Sequence, residues 1–217
     1  MADEVVQLHS SSYRCPEQLP SGRVLVVGGG NSGFQIAEEL AHSVDQVRLA
    51  IGTRNVCVPQ RPLGRDIFWW QHITGLITAP ADSRRGRWMR QGEGTVIGVS
   101  TRDLRRAGVE LRPRLTGIEG RLARFTGGTS TEIDSVVWAT GFCQDHSWIT
   151  VDGALDQHGI LRHQRGVTSV AGLYVLGLTW QHTTGSALLG FVGHDVAYLA
   201  EHIARRTLAS HSDPDAH

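Results

Sequence analysis

One stretch, RVLVVGGGNSGFQIAEELA at residues 23–41, constrains the fold more than any other. Val24 to Val27 form an unbroken apolar and mostly β-branched run, the pattern of a strand buried on both faces. Gly28, Gly30 and Gly33 follow in G-x-G-x-x-G spacing. Ile36, Ala37, Leu40 and Ala41 then share one helical face, with Glu38 and Glu39 outside it. A second apolar run, VRLAI at 47–51, closes at Gly52 and completes a βαβ unit of about thirty residues.

Each glycine in this loop has a physical task. The first permits the tight turn, the second lets the backbone approach a pyrophosphate, and the third allows close packing of helix on strand. Amide groups and the helix dipole then receive the negative charge. Gly28, Gly30, Asn31, Ser32 and Gly33 are therefore candidate dinucleotide contacts; the alternative is a glycine turn that serves packing alone. At the end of the second strand, where NAD units place a carboxylate on the ribose, the sequence reads Gly52-Thr53-Arg54-Asn55. No carboxylate is present, and Arg54 suits the 2′-phosphate of NADP, unless it is an ordinary exposed loop arginine.

Composition narrows the chemistry. All 21 basic residues are arginine and they balance 21 acidic ones. No overall field favours nucleic acid or an anionic membrane, and Schiff-base, P-loop and general-base lysines are excluded. Three isolated cysteines, Cys15, Cys57 and Cys143, form no C-x-x-C pair, which fits a reducing cytoplasm and no structural zinc. His182 and His194 lack a second ligand at helical spacing, so no metal is expected. The first residues carry no signal-peptide pattern, and no apolar run approaches the length of a membrane span. Ser32 and Ser186 have no G-x-S-x-G context, so hydrolase chemistry is unsupported.

Beyond the βαβ unit, IFWWQHITGL after Asp66 reads as a helix. Trp69 and Trp70 within it cannot both face one core. The arginines from Arg84 to Arg90 read as a solvated face. TRDLRRAG reads as a short helix closed by Gly108, followed by the strand VELRPR, a meander through Gly128 and the apolar strand SVVWATGF. After a polar connection, GLYVLGL (172–178) reads as a strand, followed by a helix beginning near Ser186.

The ordered set GGGNSG at 28–33, ATGF at 139–142 and GLYVLGL at 172–178 resembles the class B flavin monooxygenases, the flavin-containing and Baeyer–Villiger enzymes. GRDIFWW, DSVVWATGF and WQHTTGSALLGFVGHDVAYLAEHI are most similar to a bacterial flavoprotein oxidoreductase subgroup. The resemblance runs from residue 7 to about 205. It implies NADPH and FAD as cofactors, a small-molecule substrate, oxygen activated on the reduced flavin, and no assignable catalytic side chain. By the same resemblance Thr140 and Gly141 match the turn between domains, and Gly177 and Ser186 are candidate flavin contacts. His9 and Tyr13 match the second half of a linker fingerprint, either as a clamp or as leftovers. The family's separate N-terminal FAD unit has no counterpart ahead of residue 28.

The expected class is α/β: a Rossmann-like NAD(P)-binding domain with a three-layer sandwich, plus the C-terminal strand–helix piece of a FAD domain. The expected divisions are a remnant linker over 1–20, the NADP-binding domain over 21–142, the FAD-domain piece over 143–207 and a disordered tail over 208–217. Leu173, Val175, Leu188, Leu189 and Val192 are expected to leave an apolar patch for a homodimer or a separate flavin-domain chain. Two other functions stay open: a NAD(P)H-dependent reductase of a flavin or quinone held elsewhere, and a noncatalytic NADPH-binding module.

Overall fold

The computed structural model describes residues 5–53, 55–91 and 95–211, and the chain divides into two compact units. The first comprises residues 1–67 and 93–142, the second 68–92 and 143–217. Residues 68–92 thus group with the C-terminal part, whereas the sequence reading kept them in the dinucleotide domain.

The first unit is built on a parallel sheet. Its strands are β1 (Val6–His9), β2 (Arg23–Val27), β3 (Gln46–Ala50), β6 (Glu110–Arg112) and β10 (Ser135–Trp138), in the spatial order β1-β10-β2-β3-β6. Between β3 and β6 the chain makes a parallel ribbon of β4 (Val56–Val58) and β5 (Thr95–Ile97). Helices α1 (Asn31–Leu40) and α4 (Thr101–Arg106) cover one face of the sheet. An antiparallel meander, β7 (Leu115–Glu119), β8 (Leu122–Phe125) and β9 (Ser130–Glu132), covers the other. This is the three-layer α/β sandwich expected from sequence.

Alternation along β2 and β10 explains the two cores. Val24, Val26 and Val137 pack under the helices with Phe34, Leu40 and Leu104. Leu25 and Val136 point the other way, onto Ala123, Phe125 and Ile133 of the meander side. Both faces are dry, which is why the run carries no polar residue. Helix α4 starts on a capping box: the Ser100 hydroxyl accepts the Asp103 amide, and Asp103 reaches back to Ser100.

β1 falls within 1–20, which the sequence reading took as a remnant linker. It pairs in parallel with β10 from Val6↔Ser135 to His9↔Trp138. Val5 is buried on the meander side and Leu8 packs toward the helices, so the segment contributes to both cores. Tyr13 is buried as well, with its hydroxyl donating to Glu39 of α1 at 3.1 Å. Burial and the Glu39 charge push its phenol well above the usual range.

Asp134, just before β10, ties the sheet to the meander. It accepts the Arg23 amide at 2.8 Å and two Arg23 guanidinium bonds at 3.0 and 3.1 Å, and it pairs with Arg121. Asp134→Ala should lower unfolding free energy by about 1–3 kcal/mol, since a half-buried arginine and an amide lose their acceptor. Urea denaturation checks this; an unchanged midpoint would show the cluster to be ornamental.

The second unit contains α2 (Ile67–Ile73) after its first residue, α3 (Arg84–Gln91), a hairpin of β11 (His163–Gln164) and β12 (Val167–Thr168), and α5 (Gly193–His211). Hydrogen bonds join its two chain segments: Ala81 N–H to the His182 carbonyl at 2.7 Å, and Gly185 N–H to Ile77 at 2.9 Å. Gly86 of α3 lies so close to the Pro80 carbonyl that a Cβ there would be 2.1 Å from it. Trp69 and Trp70 meet edge to face at 4.8 Å, with Trp69 the exposed one.

Two expectations need correction here. GLYVLGL is not a regular strand: it meets β12 in a single bridge, Tyr174 to Val167, flanked by the Val175 amide donating to the Gly166 carbonyl at 2.8 Å and the Thr168 amide to the Leu173 carbonyl at 3.4 Å, and the pairing extends no further among the described residues. The helix does not begin near Ser186. Residues Thr184–Ala187 form a 3-10 turn, and α5 starts at Gly193, after Gly190 has interrupted the apolar run. Of the expected patch, Leu189 is 95% exposed, while Leu173, Val175, Leu188 and Val192 are half-buried. Among the described residues no helix is long and apolar enough to cross a membrane, and no group of three His, Cys, Asp or Glu could hold a metal ion.

Candidate functional site

At the C-terminal ends of β2 and β10 the first unit opens into a cavity of about 730 Å³. This is where ligands bind in open parallel α/β sheets, and the volume suits an organic ligand. Gly28, Gly30, Asn31, Ser32, Thr140 and Gly141 all line it. The structure therefore brings two distant motifs, the glycine loop and the ATG turn, onto one site.

Two of the three loop glycines serve backbone packing, and the third does not. Gly28 has φ +144°, and a Cβ there would stand 2.0 Å from the Ala139 carbonyl oxygen. Gly33 lies in α1 with its missing Cβ 2.2 Å from the Gly28 carbonyl oxygen. Both let one piece of backbone approach another. Gly30 differs: a Cβ there would meet nothing within 4 Å, at the N-cap of α1 where no side chain caps the helix. Its open face and the uncapped amides are the features a pyrophosphate needs.

Asn31 and Ser32 line the cavity, but the Asn31 side chain is occupied. Its Oδ1 accepts the Ile97 amide at 2.8 Å and its Nδ2 donates to the Thr95 carbonyl at 3.4 Å, so it fastens α1 to β5. Arg54 lies outside the described residues. Gly177 is exposed with φ +85° and open space around it. Ser186 is fully buried, with its hydroxyl accepting the amides of His182 and Thr183 at 3.1 and 2.9 Å.

Sequence reasoning missed four residues. Arg114 lines the cavity from beyond β6, donating to the Gly52 carbonyl at 3.0 Å, just past the end of β3. Its only sequence signal was an arginine closing an apolar strand. Asn55 donates to the Gly29 carbonyl and so fixes the loop from behind. Trp138 and Phe142 form the other wall, with Trp138 Nε1 donating to Gln7 at 3.0 Å. Phe142 is 69% exposed and meets the His9 ring edge-on at 5.5 Å. No carboxylate lines the cavity among the described residues, and its one charged side chain there is a cation.

Residues 5–61 match the flavin-binding monooxygenase-like family. An uncharacterised oxidoreductase described as CzcO-like, from Geobacillus kaustophilus, is 42% identical over 204 residues, covering 94% of this chain and 58% of its own length. The chain is similar to flavin-binding monooxygenases and to bacterial oxidoreductases. The indole-3-pyruvate monooxygenase YUCCA8 of Oryza sativa is 28% identical, covering 92% of this chain and 54% of its own. A flavin-containing monooxygenase structure from Stenotrophomonas maltophilia superposes with a TM-score of 0.65 at 22% identity, over 94% of this chain and 56% of that one, which supports the shared fold. The chain spans about half the length of the curated relatives it matches.

Proposed function

We propose that this chain binds NADPH on the 28–33 loop and serves as the nicotinamide-handling part of a flavin-dependent oxidoreductase, of the monooxygenase kind. The observation that carries this reading is Gly30: its open face sits at an uncapped helix N-terminus inside a cavity that no carboxylate lines among the described residues. Backbone amides of Gly30 to Ser32 would hold the pyrophosphate. Arg114, at the end of β6 and bonded to Gly52 beside the second-strand terminus, would hold the 2′-phosphate, together with Arg54. Flavin, when bound, would supply the redox chemistry. For the C-terminal unit, exposed backbone around Gly177 is the flavin contact we favour, since the Ser186 hydroxyl is engaged within its own turn.

The test is a pair of fluorescence titrations. NADPH should bind roughly ten- to a hundredfold more tightly than NADH, the value of one charge-assisted contact of about 1.5–3 kcal/mol. Arg114→Ala should remove much of that preference while leaving NADH binding within about twofold. Equal affinities for the two cofactors in the parent chain would overturn the NADP assignment.

A further inference from the structure

The second unit holds a separate cavity of about 380 Å³ between the β11–β12 hairpin and α5. Arg162, His163, Gln164, Val167, Tyr198 and His202 are among its walls, and no carboxylate lines it among the described residues. We propose that this cavity binds a small phosphate monoester, with Arg162, His163 and His202 on the phosphate and Tyr198 against the organic part.

The wall is firmly built. The hairpin turns through Arg165 and Gly166, with φ +50° and +89°. A non-glycine residue in that region is strained and persists only when its surroundings fix it. Here the Arg165 guanidinium pairs with Asp195 at 3.3 Å, a carboxylate only 2% exposed, and lies 4.3 Å over the Tyr198 ring. Tyr198 is thereby held from behind by a residue that does not itself line the cavity. His202 is set between Tyr174 and Tyr198, with ring centroids 5.9 and 6.5 Å away.

The donors are left available. His163 Nδ1 accepts the Gly166 amide at 3.3 Å, so the neutral ring carries its proton on Nε2. Burial holds this imidazole below its ordinary range, which favours that neutral form. Arg162 makes no side-chain hydrogen bond or ion pair among the described residues. Asp156 feels the Arg162 charge only weakly, and its carboxylate already accepts the amides of Ile160 and His158. Thr168 and Ser169, by contrast, spend their hydroxyls on backbone carbonyls and only shape the floor. Donors from two elements exceed what a two-oxygen carboxylate needs and suit a phosphate with three free oxygens. The volume lies at the lower end for ligand sites, so the organic part is small.

Amide-resolved NMR titration of the full chain with phenyl phosphate tests the proposal. Saturable shifts are expected at Gly166, Thr168 and Ser169, with the Gly28–Gly33 amides unmoved. Arg162→Ala removes an exposed side chain, so the variant should keep the parent spectrum elsewhere and bind at least about tenfold more weakly. His202→Gln should also weaken binding. Absence of saturable shifts, or unchanged affinity in Arg162→Ala, would overturn the site. Benzoate binding as tightly would overturn the choice of phosphate, and inorganic phosphate binding as tightly would overturn the choice of an ester. The dinucleotide reading is independent of all these outcomes.

Discussion

Gly30→Val will fold normally and lose NADPH binding by about a hundredfold or more, because its side chain would stand where the pyrophosphate must lie. The backbone at this position is extended, with φ −87° and ψ −176°, a conformation that valine adopts readily. Nothing lies within 4 Å of the added Cβ, so the free protein has no clash to relieve. The penalty therefore falls on the complex alone. Gly30→Ala, with one carbon in the same place, should give a smaller loss of the same kind. Circular dichroism and thermal melting establish folding, and a fluorescence titration establishes affinity. A variant that binds NADPH like the parent would remove the glycine loop from the site, and with it the proposed function.

How much of this could be read from the sequence depends on the range of the interactions involved. The strand, glycine loop and helix at 23–41 were legible because every signal in them is local: a dry run, a fixed spacing and a helical stripe. β1 was not, since VQLH has little strand character until β10 lies beside it and Val5 and Leu8 find opposite cores. Arg114 and Asn55 were missed for the same reason. Each acts on residues far away in sequence, Arg114 on Gly52 and Asn55 on Gly29, and neither belongs to a spacing pattern. GLYVLGL failed in the opposite direction. Its composition is that of a buried strand, but its neighbour β12 is only two residues long, so the pairing stops at Leu173 to Val175. The late start of α5 has a visible cause in the sequence, Gly190 and Gly193 within SALLGFVG.

Gly28→Ala should produce the reverse of Gly30→Val, a protein that fails before any ligand is added. Two effects combine at this position. With φ +144°, the backbone occupies a region that side chains rarely enter, at a cost of about 1–3 kcal/mol. The added Cβ would also stand 2.0 Å from the Ala139 carbonyl oxygen, a backbone atom that cannot swing aside as a side chain would. Ala139 and Gly28 are fixed in place: the Ala139 amide donates to Val27 at 2.8 Å and the Gly28 amide to Ala50 at 3.0 Å, across three adjacent strands. Relief of the clash must part β2 from β10 at the centre of the sheet. The total loss should exceed about 4 kcal/mol, a large share of the roughly 5–15 kcal/mol that stabilises a domain. Gly33→Ala, whose Cβ meets the Gly28 carbonyl oxygen at 2.2 Å, should be damaged similarly, because here too both partners are backbone. Urea denaturation measures the loss, and insoluble expression of Gly28→Ala beside soluble Gly30→Val would report it equally well. Parent-like stability in Gly28→Ala would mean that the loop does not approach β10 as closely as described, and the cavity built on that approach would have to be redrawn.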